Sequence, residues 1–220
     1  MSEVIVTNSC HISNQIFTDW NNPNEDGLRI DGKAGGVYVE VRDCIFERTN
    51  LDSTQADELA SVISGAKAVF HWCVFRDSGK GVLIGKGSEN ETDKDTIEVE
   101  FDHCVFENLS RRCPYVNAGK VVMRNCTIKN WGRDKYFYLK SAGVRAGSHA
   151  DITLINCHFE QDSFWTCLTR RNAWRDLFNQ YLFPFLGFGF MRGAYAEKGG
   201  KVRFQNCTKN RWWIILKSSD

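Results

Sequence analysis

The sequence predicts an all-β fold, a single-stranded right-handed parallel β-helix, and three observations carry that prediction. A short strand pattern centred on cysteine recurs seven times, its copies stand as little as 22 residues apart, and helix-period patterning is scarce. Successive coils of a solenoid stack the same strand in register and let surplus residues loop out, which is the arrangement such unequal spacing requires.

In chain order the segments are VIVTNSCHI ending at Ile12, VEVRDCIF ending at Phe46, AVFHWCVF ending at Phe75, VEFDHCVF ending at Phe106, VVMRNCTI ending at Ile128, ITLINCHF ending at Phe159 and VRFQNCTK ending at Lys209. Each opens with β-branched or alternating apolar residues, places a polar or aromatic residue before the cysteine, and usually returns to an apolar residue two positions after it. The anchors Cys10, Cys44, Cys73, Cys104, Cys126, Cys157 and Cys207 are separated by 34, 29, 31, 22, 31 and 50 residues. They are expected to form an internal ladder, because a thiol is small, readily buried and packs well against its own kind.

Nine cysteines would suggest disulfides in a small secreted chain, but the count is odd, and no Cys-x-x-Cys pair offers a structural zinc site. Cys113 and Cys167 lie outside the repeat and are the candidates for reactive thiols. A single domain over 1–220 is expected. Within it 163–190 reads as an insertion or cap: only Arg170 to Leu182 places Trp174, Leu177, Phe178, Tyr181 and Leu182 on one helical face, with Pro184 to end it.

Lys plus Arg number 28 against 27 for Asp plus Glu, so no chain-wide field points to nucleic acid or to an anionic membrane. The richest apolar run, Tyr181 to Phe190, is too short to cross a bilayer as a helix and is broken by Pro184, Gly187 and Gly189. The N-terminus shows no leader pattern. A soluble chain is expected, with any charge-based function carried by local groups.

Two segments hold polar residues that the ladder does not explain. In DSGKGVLIGKGS, from Asp77 to Ser88, Lys80 stands between glycines directly before an apolar strand, as either a solvated turn residue or a positioned cation. In LSRRCPYVNAG, from Leu109 to Gly119, the short spacing from Cys104 to Cys126 holds Arg111 and Arg112 in a tight connection before Pro114. A guanidinium held there can be aimed at an anionic substrate. Acids that can bind a hard cation or simply line exposed loops are Asn24-flanked Glu25, Asp26 and Asp31, then Asp52, Asp57 and Glu58.

The run from Asp77 to Gly119 resembles the pectate lyases of polysaccharide lyase family one, in which a Lys-x-x-Leu-x-Gly stretch precedes a strand and an Arg-x-Pro turn. EDGLRIDGKAGGVYVEVRDCIF, from Glu25, and SAGVRAGSHADITLINCHF, from Ser141, are similar to further coils of that family, so the likeness covers most of 24–160. It implies β-elimination on polygalacturonate or a related acidic polysaccharide, with calcium as cofactor. Residue by residue, Arg112 matches the arginine that removes the carbon-five proton, and Lys80 the lysine on the uronate carboxylate. Asp26 and Glu58 match metal ligands, and Arg111 and Asn117 fall at substrate-binding positions.

This chain departs from the pattern in three places. Val62 stands where a second aspartate of that coil is expected, Asn117 where the family usually carries a further arginine, and cysteines replace a ladder of asparagines. The family also has further N-terminal coils and is secreted. Here the N-terminal coil is either open or covered by a partner or symmetry mate, and an extracellular location is implied by the resemblance alone. The alternative reading is a non-catalytic polysaccharide-binding or structural β-helix, of tail-spike or adhesin type. A hydrolase is disfavoured because no carboxylate pair of suitable placement offers itself.

Overall fold

The structure is a computed structural model and describes residues 2–20, 22–48, 57–86, 90–131, 142–162, 191–211 and 214–218. The expected helix over Arg170 to Leu182, the insertion 163–190, Cys167 and Asp52 lie outside the described residues.

Short β-branched and apolar runs separated by polar corners form one coil after another. The first coil comprises β1 (Val4–Val6), β2 (Cys10–Ser13) and β3 (Ile16–Thr18); the second β4 (Leu28–Asp31), β5 (Tyr38–Arg42) and β6 (Ile45–Glu47). The third has β7 (Ala60–Ile63), β8 (Lys67–His71) and β9 (Val74–Lys80); the fourth β10 (Val82–Ile84), β11 (Glu98–Asp102) and β12 (Val105–Arg111). In the next two coils the first two strands fuse into one bent strand, giving β13 (Tyr115–Arg124) with β14 (Thr127–Lys129), then β15 (Ala142–Ile155) with β16 (His158–Glu160). The last described strands are β17 (Met191–Ala196), β18 (Lys201–Gln205), β19 (Thr208–Lys209) and β20 (Ile214–Ile215).

Every ladder between these strands is parallel, and each strand pairs with its counterpart one coil away. Three faces result. The first carries β1, β4, β7, β10, the start of β13 and of β15, β17 and β20; the second runs from β2 to β18; the third is the seven-stranded sheet from β3 to β19. Each coil therefore advances the chain by one interstrand distance, about 4.8 Å.

The core is built by register. Phe17, Phe46, Phe75 and Phe106 occupy equivalent positions, and their rings stack at 4.6, 4.8 and 4.9 Å. Phe70 stacks on Phe101 at 5.0 Å and meets the first stack edge-on. The corner between the second and third faces is turned by one residue in the left-handed region, Asp43, Trp72, His103, Asn125, Asn156 or Asn206, followed by cysteine. That cysteine points inward, and from Cys73 onward its thiol reaches a carbonyl of the preceding coil: Cys104 to Phe70 at 3.3 Å, Cys126 to Phe101 at 3.4 Å, Cys157 to Met123 at 3.4 Å. Burial pushes the Cys104 and Cys113 thiols up, so both stay protonated.

The ladder has six members among the described residues, and Cys10 is not one of them. Cys10 pairs with Val39 and is exposed, five residues ahead of the corner; with Ser13 opposite Arg42 and Ile16 opposite Ile45, Gln15 falls opposite Cys44. The first coil keeps the backbone turn, with Asn14 left-handed, but fills the ladder site with an amide. Cys113 is buried, with its thiol in the core cluster rather than at a reactive surface.

One helix is present that helical periodicity does not announce. α1 (Asn90–Thr96), NETDKDT, has no apolar face; buried Asp93 fixes it by accepting backbone N–H groups from Gly65 at 3.1 Å and Lys86 at 3.2 Å.

Candidate active site

The sequence-predicted residues converge where chain enters the first face. Asp26 precedes β4, Glu58 precedes β7, Lys80 ends β9 just before β10, and Arg112 follows β12 just before β13, so four successive coils each supply one side chain. In β-strand register Asp26 and Glu58 both stand two residues ahead of the Leu28–Ala60 pair, and Lys80 two ahead of Val82, which also faces Ala60.

Specific packing holds each of these entries. Trp20, fully buried, donates its indole N–H to Glu25 O at 2.6 Å, and buried Arg48 donates to the carbonyls of Trp20 and Asn22 at 2.8 Å, with its guanidinium 4.4 Å from the Trp20 ring. This clamps the loop that delivers Asp26. Gly27 allows it: a Cβ there would stand 2.7 Å from the Trp20 ring and from Leu59 O. Gly81 does the same for Lys80, since a Cβ would come within 2.2 Å of Arg112 O.

Arg112 itself is an extra residue. Lys80 is in register with Arg111 and Leu83 with Tyr115, so the later coil has one more residue between those pairs; Arg112 absorbs it at φ 66°, followed by the cis Cys113–Pro114 bond. Arg111 therefore stays in the sheet beside Lys80, and Arg112 reaches back across the coils to pair with Glu58.

The charges interlock. Asp26 is buried; it accepts from Glu58 N at 3.2 Å, from the Ser61 hydroxyl and from Arg29 Nε at 3.3 Å, while Arg29 also meets Glu3 at 2.8 Å. Lys80 Nζ lies 3.0 Å from Asp57 and 4.0 Å from Glu58. Burial pushes the Asp26 carboxyl up from its ordinary value, the neighbouring Asp57 charge adding to it. Burial likewise pulls the Arg112 guanidinium down, against the nearby acids that hold it charged.

Oxygens of Asp26, Asp57 and Glu58 lie within 4.8 Å of one another. Two ligands of one calcium ion, each about 2.3–2.6 Å from it, stand no more than about 5 Å apart, so the donor set fits a hard divalent cation. With Glu3, four carboxylates face Arg29, Lys80 and Arg112, which leaves a net negative charge for such an ion to neutralise. Val62 is fully buried and points into the core, whereas its neighbour Ser61 faces Asp26; among the described residues the coil offers a hydroxyl beside the cluster and no third carboxylate of its own.

Asn117 is not gathered in. It lies beyond Tyr115 and Val116, at the register shift between the first and second faces, and its amide donates to Gly85 O at 3.1 Å. Sequence reasoning missed Arg29, Ser61, Tyr115 and Arg145. The last two extend the site down the face: Arg145 is in register with Tyr115, its guanidinium 4.5 Å from the ring, and it pairs with Glu197.

Against known proteins, the chain is 26% identical over 98 residues to a pectate trisaccharide-lyase of Bacillus licheniformis, a match covering 44% of this chain and 28% of the relative. Its fold superposes on that of a Bacillus subtilis pectate lyase carrying an arginine-to-lysine substitution, with a TM-score of 0.57, 14% identity, and coverage of 95% of this chain and 54% of the other. The chain thus spans about a quarter of the length of the curated relatives it matches. The family model for the right-handed beta helix region matches residues 2–163, and the chain belongs to that family.

Proposed function

We propose that the chain is a polysaccharide lyase that cleaves polygalacturonate or a related polyuronate by β-elimination, with Arg112 as base. The observation that supports it above others is the convergence of Asp26, Glu58, Lys80 and Arg112 from four successive coils onto one acid and base cluster.

Lys80 binds the uronate carboxylate, and its positive charge acidifies the proton on carbon five. Arg112 takes that proton once its pair with Glu58 is opened; the electron pair forms the carbon four–carbon five double bond, the bond to the glycosidic oxygen breaks, and the departing oxygen takes a proton from water. Arginine is a demanding base, with an ordinary pKa above about 12, and burial already pulls Arg112 down. Asp26, Asp57 and Glu58 are the residues that would hold calcium. Calcium so bound supplies charge neutralisation for the uronate and stabilises negative charge developing beside it.

The relatives' names say pectate lyase, and an acidic chain is the substrate class a site with Lys80, Arg112 and Arg145 along one face suits. Elimination creates an unsaturated product that absorbs in the ultraviolet, which hydrolysis and binding do not. An absorbance rise on polygalacturonate with calcium at alkaline pH is the expected result; none on pectin, alginate or polygalacturonate sinks the proposal in favour of a binding module. Because the active Arg112 is the deprotonated form, rate is expected to rise from pH 7 toward alkaline values, and a rate falling over that range would remove Arg112 as base.

A further inference from the structure

We infer that the substrate groove continues past the reacting centre to a distal subsite for a uronate carboxylate, formed by Arg192, Tyr195 and Lys217, which rests on the polyuronate reading above. These residues line a cleft of about 570 Å³ together with Ala194, Ala196, Ile215 and Ser218. None of the lining groups is acidic.

Register places β17, whose residues line the cleft, in the same sheet as the strands that carry the catalytic cluster. Ala142, on the coil after Arg112, is paired with Arg192, and Arg145 with Tyr195, so the cleft begins two coils beyond Arg112. Two coil steps make about 10 Å, and Lys217, just past β20 one coil further, stands about 14 Å along. An extended glycan lying along the axis passes from Arg112 over the Arg145–Tyr115 pair to this cleft.

The cations differ in their commitments. Arg145 is held by Glu197. Arg192 is exposed, its guanidinium lies 4.6 Å from the Tyr195 ring, and neither it nor Lys217 has a carboxylate partner among the described residues. A guanidinium braced on an aromatic face is pre-positioned while keeping its N–H fork available for a planar carboxylate. The Tyr195 ring offers an apolar surface to a pyranose. Both cations lie outside 2–163, the stretch matched by the family model, so the subsite belongs to this chain's C-terminal coils.

The test is isothermal titration of the full chain with calcium and the sodium salts of tri- and hexagalacturonate, in an Arg112→Ala background to suppress turnover. Wild-type C-terminal coils are expected to bind the hexamer at least tenfold more tightly than the trimer. Arg192→Ala with Lys217→Ala is expected to bring that ratio close to one; both side chains are exposed, so the fold is retained. Lys120→Ala, on the second face, serves as control and leaves the ratio unchanged. If the ratio survives the double substitution, the distal subsite is wrong and the lyase proposal stands. If neither oligomer binds, both fall.

Discussion

The cysteine-turned corner and the acid and base cluster are made from the same coils, yet they obey opposite rules. At the corner every coil from the second onward supplies the same device, a left-handed residue and then an inward cysteine, so neighbours are alike, and from Cys73 onward the thiol reaches a carbonyl of the coil before. At the start of the first face the groups change along the stack, from two carboxylates to an ammonium and then a guanidinium. Likeness is tolerable where side chains are neutral and apolar. Charges about 4.8 Å apart in a buried site must instead alternate in sign or recruit an ion. The corner is scaffold because it repeats; the cluster, which does not repeat, is the candidate functional site.

The sharpest break of that contrast is Arg112→Ala. It removes the proposed base, and it is expected to lower lyase turnover by about 10²- to 10⁴-fold. The chain still unfolds in one cooperative transition, at lower stability because buried Glu58 loses a counter-ion and keeps, among the described residues, only Lys80 at 4.0 Å. A variant with full turnover removes Arg112 from the mechanism. The converse is Phe75→Ala, which opens the centre of the ring stack between Phe46 and Phe106. It is expected to destabilise by about 3–5 kcal/mol in denaturant unfolding, with residual activity per folded molecule retained. A loss below about 1 kcal/mol would mean that the stack collapses to fill the gap.

That division also explains what was legible in the sequence. The corner is local: a turn residue, a cysteine and an apolar residue two on are contiguous, so the repeat and the fold can be read directly. Cys10 falls outside the ladder because the repeat lies five residues later: Asn14-Gln15-Ile16-Phe17 matches Asp43-Cys44-Ile45-Phe46 in its left-handed turn and its two apolar residues but carries no thiol. α1 was illegible because a buried carboxylate, Asp93, fixes it to the coils and no apolar stripe marks it in the sequence. Asp26, Glu58, Lys80 and Arg112 were found through motif resemblance. Arg29 and Ser61 carry no local mark, because their role exists only once β4 and β7 are paired.

Within the cluster, the metal assignment can be separated from catalysis by stability. Burial raises the Asp26 pKa in the folded state, so the folded chain binds that proton more tightly than the unfolded one. Stability contributed by the protonated form is therefore present below the ordinary aspartate value and is lost as pH rises through the raised one. Asp26→Asn is expected to leave the calcium-free chain at pH 7 as stable as wild type or more so. It is also expected to abolish calcium stabilisation, which for wild type at a hundredfold excess over Kd is about 2.7 kcal/mol. Calcium that still shifts the melting temperature of Asp26→Asn equally would place the ion elsewhere.

The smallest expected effect tests the corner against the one cysteine that the repeat left out. Cys104 is fully buried and its thiol faces Phe70 O; Cys104→Ser shortens the side chain and places a more polar group in the core, for an expected loss of about 1–3 kcal/mol. Cys10 is exposed at the edge of the first coil, so Cys10→Ser is expected to change stability by less than about 0.5 kcal/mol. Thiol titration separates the two without mutation. In the native chain Cys10 is expected to react with an aromatic disulfide reagent within minutes, while Cys104, buried and held protonated, reacts only as the chain unfolds. Equal native reactivity at the two positions would mean that the coils open around the ladder far more readily than a continuous stack of buried rings and thiols permits.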